Sequence, residues 1–528
     1  MEKRLITAIA LSILVIISFQ HFFGTPPTKR AAEQPMTVAP VALQPEKEAA
    51  PQAPEERPVS EEEFTFESDR LVITFSNVGG AIKKLQLKDY KDASSRDMLV
   101  LASIRNPKNY ILSMSDPSNV LPLSSSRYEL TRKDNQIIYT LKLSGIEVVK
   151  KYIIPNSNYH IELRNIIKNV SGSQKDIGYQ LITGSGLQET NVTDKRFVDV
   201  TSFINGKLAK FKHPKNDRII YPGTVEWTAL RSKYFSIIVK PFAPTQNEFY
   251  SADRSGMLTS GMTIQDVSMP PDSFVDQRFI LYTGPNDPSV LAAGGYGLEE
   301  SITYGFFGEI SKAMLWVMKF FYRIVRSWGL SIILLAVFLN LLLFPLTIKS
   351  MKSMQKMQAL HPQMEKLKAQ FKDNPQKLNK EIMELYKKYK INPLSGCLPL
   401  ILQMPVFIAL YQALMRAIEL RGNSFLWISD LSMPDAVSIP FKLPLIGNTL
   451  NVLVILMIIA MVVQQKLSTK FMGGAVTAEQ KQQQKIMLIM MPVMFGFIFY
   501  NMPSGLVLYW FVNTILTVVE QYTISKYS

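Results

Sequence analysis

The sequence predicts a polytopic α-helical membrane protein that carries a large all-β domain outside the bilayer. Three observations carry this expectation. Hydrophobic residues make up 47% of the 528-residue chain. Several apolar runs approach the roughly 20 helical residues needed to cross a hydrocarbon core. Residues 62–300, between the first run and the others, alternate in the β manner instead. The net charge of +15 could mark a nucleic-acid binder, so the position of the lysines relative to the apolar runs has to decide what that charge means. The single cysteine, Cys397, lies inside an apolar run and supports neither a disulfide framework nor a thiol metal site.

The chain starts MEKRLITAIALSILVIISFQHFFG, a short basic stretch and then about 19 mostly apolar residues, which predicts a span over residues 1–24. A cleaved signal peptide would need a shorter apolar core and a small-x-small site. Here the run continues through Gln20 and His21 to Phe22 and Phe23, which favours an uncleaved anchor with a cytoplasmic N-terminus. Residues 25–61 are rich in Pro, Ala, Glu and Gln and cannot bury enough apolar area to offset their ordering entropy, so they read as a disordered tether.

Over residues 62–300, short runs such as RLVITFSNVGG, QIIYTLKLSGIEVVKKYIIP and RSKYFSIIVKPF are separated by turn clusters such as PNSN and SGSQKD. No long helical period interrupts them, which predicts one antiparallel β-sandwich on the side opposite the N-terminus. Residues 301–328 place Leu315, Met318, Phe321, Tyr322 and Val325 on one helical face and Lys312, Lys319, Arg323 and Arg326 on another arc. That pattern fits a helix lying in the membrane interface, with Trp328 at headgroup level, and it leaves open an ordinary helix packed on the β domain.

Five further spans are expected over residues 329–348, 392–417, 448–465, 486–501 and 503–523, making six with the anchor. The lysines set the topology. Between Lys349 and Lys390 there are eleven lysines against four acids, and between Lys466 and Lys485 four lysines against one glutamate. The stretch Glu419 to Lys442 has two basic residues and three acids. Both basic loops, 349–391 and 466–485, therefore belong in the cytoplasm and the acidic loop 418–447 outside, which makes much of the +15 a topology signal and leaves no direct nucleic-acid recognition to expect. Residues 349–391 read as an amphipathic helical hairpin turning at KDNPQ, with Met351, Met354, Met357 and Met364 along its first arm. A methionine face can accept many apolar partner sequences; it can also pack on its own second arm.

No catalytic, cofactor or metal motif is present. The four histidines, His21, His160, His213 and His361, form no metal-ligand spacing, and there is no HExxH, GxSxG, Walker or dinucleotide pattern. The expected spans hold essentially no carboxylates, which argues against proton-coupled transport, and no inverted halves suggest a transporter. A tethered sugar-processing enzyme is a further alternative, since β-sandwiches can bind carbohydrate, but no sequence motif gives His160 or His213 a carboxylate partner.

What the spans do contain is uncharged polar groups at similar depth. Asn340 lies nine residues from Lys349, about 13 Å along a helix, and Gln403 reaches a similar level from the other direction. Trp510, Asn513 and Thr517 recur at three and four residues and share one face of the last span. Gln412 lies half a turn from Gln403, so only one of these two glutamines can face the others. These residues could line a polar groove open to cytoplasm and lipid, or each could be a hydrogen bond holding two helices together, worth about 1 kcal/mol.

The strings SWGLSIILLAVFLNLLLFPLT, KYKINPLSGCLPLILQMPVFIALYQAL, ELRGNSFLWISDLS, QQQKIMLIMMPVMFGF and PSGLVLYWFVNTI resemble the YidC/Oxa/Alb family of membrane protein insertases, in the Gram-negative form with an anchor, a tether and a β domain. The resemblance covers the whole chain. It implies a non-enzymatic insertase and chaperone of the bacterial inner membrane, without cofactors, built from a five-helix core and a periplasmic β-supersandwich. It implies work on nascent membrane proteins, alone or beside the SecYEG translocon, with ribosome or signal-recognition-particle contacts on the cytoplasmic side. In that family the position matching Asn340 usually carries a positive charge; here it is an amide, which can hydrogen-bond a substrate tail but cannot attract an acidic one. Arg416 is too near the outer surface to substitute. The tail QYTISKYS carries one lysine, so the hairpin is expected to supply any ribosome contact.

Overall fold

The computed structural model describes residues 61–527 apart from 93–96, 119, 189–193, 195–196, 212–218, 253–256, 373, 390–397, 444–446 and 472–477. The anchor expected over 1–24, the tether up to residue 60, Cys397 and His213 lie outside the described residues.

The β-rich region forms two antiparallel sheets. Strands β1 (Glu63–Glu67), β2 (Leu71–Ser76), β3 (Ala81–Lys91) and β4 (Met98–Ser103) make a four-stranded meander. A thirteen-stranded sheet follows between Met114 and Pro285. The expected alternation is visible in Ile146–Ile153, where buried and half-buried residues alternate along the whole strand. This strand pairs with Gln136–Leu143 across Ser144 and Gly145, a two-residue turn that needs the positive φ of 81° Gly145 supplies. Leu71, Ile73 and Phe75 of the small sheet share one core with Ile137, Tyr139 and Tyr152 of the large one, and the rings of Phe75 and Tyr152 meet edge-on at 4.9 Å.

Two polar pins fasten the sheets. Tyr152 Oη donates to the Gly80 carbonyl at 2.7 Å. Lys150, fully buried, donates Nζ to the carbonyls of Gly79 at 2.9 Å and Leu112 at 2.6 Å. No carboxylate pairs with it among the described residues, and burial pushes its ammonium down to about 7.

The helices follow. A short helix α1 (Pro288–Ala292) leads to α2 (Gly308–Val325), then α3 (Trp328–Ala359), α4 (His361–Gln370), α5 (Pro375–Lys388), α6 (Leu398–Arg416), α7 (Val452–Phe471), α8 (Ala478–Phe499) and α9 (Ser504–Tyr527). Helix α9 packs along α3 and α7, α8 along α7, and α2 along α3 and α6. Among the described residues, Trp328–Met357 is the one helix both long and apolar enough to cross a bilayer, 30 residues long with an 18-residue stretch of mean hydropathy 2.5. Val452–Ser468 and Leu488–Phe499 are shorter apolar helices, so six spans are not counted directly.

Two expectations change. The helix starting at Trp328 does not end at residue 348 but continues to Ala359, so Met351, Met354 and Met357 ride on its extension and the hairpin proper is α4 and α5. The chain breaks helix only where Pro362 enters the first turn of α4, and it turns again before α5, where Asn374 caps by accepting from the Lys377 amide at 3.0 Å. On α2, the face read as membrane-directed packs on the protein instead: Leu315 and Met318 are buried in the helical core. A second apolar stripe, Ile310, Trp316, Phe320 and Ile324, is exposed, and Phe306 just before the helix is exposed as well. A helix between a helical core and lipid needs both faces apolar, and reading for a single apolar face finds only one.

Charged groups join the β domain to the helices. Lys319 of α2 bridges Asp287, at 3.4 Å, and Glu419, at 2.6 Å. Burial opposes its charge, but the two carboxylates more than offset this and hold the ammonium above its ordinary value. Arg231 pairs with Asp199 at 2.9 Å and donates to the Ser301 carbonyl, and Arg421 donates to the Lys91 carbonyl at 2.8 Å.

A polar seam in the helical bundle

The bundle is packed unevenly. On α3 the buried run ends at Leu339, on α7 at Met457 and on α9 at Tyr509; on α6, which runs the other way, it starts at Ala409. Past this level, on these four helices, the described side chains are half-buried or exposed except Ser350, Thr514 and Ile524. The end nearer the β domain therefore holds a close apolar core, including Leu335, Leu410, Leu414, Leu453 and Leu506, and the far end does not.

Asn340 lies at the boundary. Its Nδ2 donates back to the Ala336 carbonyl at 2.8 Å and across to Asn513 Oδ1 of α9 at 2.9 Å. Thr517 Oγ1 donates to the Asn513 carbonyl one turn further along at 2.8 Å. Gln403 of α6 points Nε2 at the Tyr509 hydroxyl at 3.5 Å, the outer limit of a hydrogen bond. Asn340, Asn513 and Thr517 thus form one seam, and Gln403 approaches the same helix one turn earlier. Trp510 behaves differently: its ring stands among Phe407, at 4.8 Å, and Phe495 and Phe499, both at 5.3 Å, so it caps the apolar core rather than joining the amides. The partners Tyr509, Phe407, Phe495 and Phe499 carry no sequence signal that distinguishes them from core residues.

The remaining polar groups separate from this seam. Gln412 lies against Gly305, on the side away from Gln403. Arg416 donates to the Thr303 carbonyl, within the joint to the β domain. In the hairpin, Met364 Sδ accepts from the Tyr386 hydroxyl of α5 at 3.4 Å, and Gln363 donates to the Tyr389 hydroxyl at 3.2 Å, so Met364 contacts its partner arm. Met351 and Met357 are half-buried on the α3 extension, and the side chain of Met354 is outside the described ones.

One acid departs from the expectation of carboxylate-free spans. Glu520 lies on α9, within the expected span 503–523, half-buried and three residues beyond Thr517. The three-and-four step that picks out Trp510, Asn513 and Thr517 reaches it when carried one step further.

Elsewhere, His160 is buried against Tyr282, at 5.1 Å, and Tyr296, at 5.5 Å, and neither ring nitrogen has a hydrogen-bond partner among the described residues. Burial lowers its basicity. A Cβ at Gly294 would sit 2.4 Å from its Nε2, so the chain at Gly294 closes directly on that edge of the ring. No group of three His, Cys, Asp or Glu side chains among the described residues could hold a metal ion.

Comparison with known proteins covers both regions. The family model of the 60Kd inner membrane protein matches residues 320–528, and that of the YidC periplasmic domain matches residues 63–317. The membrane protein insertase YidC of Geotalea daltonii is 34% identical over 567 residues, which cover 100% of this chain and 99% of the relative. That of Geotalea uraniireducens is 35% identical over 557 residues with the same coverage. Among solved structures, an active YidC insertase with its first transmembrane domain resolved aligns over 99% of both chains at 17% identity and a TM-score of 0.38. A galactose mutarotase related enzyme from Lactobacillus acidophilus aligns over 42% of this chain and 97% of its own at 12% identity and a TM-score of 0.34. With relatives a third identical from end to end, and family models matching the strand-rich and the helical regions in turn, the chain belongs to the YidC family of membrane protein insertases.

Proposed function

We propose that this chain inserts and helps fold inner-membrane proteins by offering the polar tail of an incoming span a groove in the loosely packed end of its helical bundle. Asn340, Gln403, Asn513 and Thr517 line that groove, and Trp510 closes its inner wall. The observation that carries this reading is the stop of apolar packing at the level of the Asn340 to Asn513 hydrogen bond. Moving unpaired polar groups through hydrocarbon costs several kcal/mol each, and about 3 kcal/mol per charge on insertion scales. Half-buried amides lower that cost by replacing water as hydrogen-bond partners, and they shorten the apolar path for the tail while the apolar segment moves into lipid. The chain needs no covalent chemistry for this and acts as a chaperone rather than an enzyme.

The topology that suits this role has six spans, both termini in the cytoplasm and the β domain in the periplasm, with the exposed stripe of α2 lying in the outer interface. It is supported by the basic composition of residues 349–391 and 466–485. Exposed Ile455, Ile459, Val463, Ile489, Val493 and Phe497 on α7 and α8 suit contact with lipid. The basic hairpin, α4 and α5, is the surface for the ribosome or the signal recognition particle and its receptor, and the chain works alone or beside the SecYEG translocon.

The test is protease-protected insertion of a small single-span substrate into proteoliposomes by the full chain and by Asn340→Leu. Insertion by the first and failure of the second supports a working groove. Equal insertion by both would leave Asn340 as a bond between helices and remove the groove from the mechanism.

A further inference from the structure

Glu520 is the acid that the groove's residues lead to. With about 100° of rotation per helical residue, Trp510, Asn513, Thr517 and Glu520 fall within an arc of roughly 80° on α9. The exposed side chains Ile515, Val519 and Tyr522 occupy the opposite arc, and Gln521, about 80° round from Asn513, accepts from Ser468 of α7 at 2.9 Å. Glu520 is thereby directed to the α3 side of the helix, in line with the Asn340 to Asn513 bond and about 10 Å further from the β domain. It is half-buried, and no Lys or Arg among the described side chains forms an ion pair with it. Among the described side chains, the cations of α3 and α7 turn outward: Lys349 lies half a turn from Asn340, and Lys349, Lys352, Lys356 and Lys466 are exposed rather than buried against α9. Thr347, on the Asn340 face of α3, is uncharged.

We propose that Glu520 is a specificity-determining residue at the mouth of the groove, giving it a negative charge that favours substrates whose translocated tails are basic over those whose tails are acidic. This rests on the insertase reading above and adds the sign of the charge it selects. An ionisable group among the spans is costly to place unless it serves a ligand or a partner. Placed where water is partly excluded, a carboxylate acts on a passing charge more strongly than in bulk solvent. It attracts a Lys-bearing tail as it enters and repels an Asp-bearing one, so discrimination comes from repulsion as well as attraction.

The experiment uses the full chain in phosphatidylcholine proteoliposomes, at a pH alkaline enough to keep Glu520 ionised, and three single-span substrates that differ only in a tail bearing lysines, glutamines or aspartates. The readout is the ratio of protected lysine-tailed to aspartate-tailed product, in which any general loss of activity cancels. The expected ratio is about fivefold at low salt, shrinking as ionic strength rises. In Glu520→Gln it approaches one, and in Glu520→Lys it inverts. A ratio unchanged in both variants, or one that is unity in the unaltered chain, overturns the proposal. Insertion of the glutamine-tailed substrate by the unaltered chain is read separately: its failure would remove the insertase reading itself, whatever the ratio.

Discussion

The two ends of the helical bundle are built from the same helices and differ in what fills the space between them. Near the β domain, Ala409, Leu410, Ala413, Leu414, Leu453 and Leu506 to Tyr509 close on Leu335, Ala336 and Leu339 without room for water. Past Asn340 the helices continue, but their side chains leave one another half-covered and the contacts that remain include paired amides and hydroxyls. Apolar packing is concentrated at one end, and the groove proposed above lies at the other. A bundle packed to its full depth would be more stable and would have nowhere to admit a substrate.

Stability measurements on the full chain in detergent can break this contrast. The largest effect is expected from Leu506→Ala, which empties a fully buried site and should cost about 2 to 5 kcal/mol. Val463→Ala, exposed at the loose end of α7, should stay within about 0.5 kcal/mol. Similar costs at both sites would mean that the two ends are equally packed.

A further few kcal/mol is expected from Lys150 in the β domain, through pH. Burial lowers its folded value to about 7, below the ordinary lysine value of 10.5, so the unfolded chain binds more protons between these limits. Stability contributed by this site is present above 10.5 and is lost as pH falls from there to 7, by up to about 1.4 kcal/mol for each pH step crossed. Thermal unfolding of Lys150→Met from pH 7 to 10, followed through the β signal, should lack that slope. Buried Glu248 has the opposite sign. Burial pushes its carboxyl up to about 7 despite hydrogen bonds from Ser202 and Thr228, so its contribution is present below 4.5 and lost as pH rises through 7, and Glu248→Gln should flatten the fall over that window.

Smaller effects, each about 1 kcal/mol, are expected at the boundary and the joint, above only that of Val463→Ala. Asn340→Leu breaks one bond between α3 and α9, so its cost to unfolding should be modest while its cost to insertion is large. Lys319→Met leaves Asp287 and Glu419 facing each other, and hydrogen exchange should report a looser junction between α2 and the β domain with little change inside either.

Much of the architecture is legible from local rules. Alternation locates the strands, and spacing along the chain places the KDNPQ turn and the amides of the last helix. Residues that need a partner to be understood are not legible in this way. Trp510 shares a face with Asn513, yet joins three phenylalanines from two other helices. The Leu315 face of α2 reads as lipid-facing because one helix seen alone does not reveal which of two apolar stripes another helix will cover. Glu520 escapes a search that counts depth from the ends of apolar runs, where a carboxylate reads as the end of a span rather than as part of its inward face.

What the sequence determined by itself is what depends on neighbours along the chain: helical and strand periods, turns, the basic loops that orient a membrane protein, and the motifs that match its family. Tertiary structure alone decided where apolar packing stops, which amide meets which, and that Lys150 is closed in against two carbonyls, with no carboxylate partner among the described residues. These depend on the distance between residues far apart in sequence, and burial, which sets the strength of every charge and hydrogen bond, exists only once those residues have met.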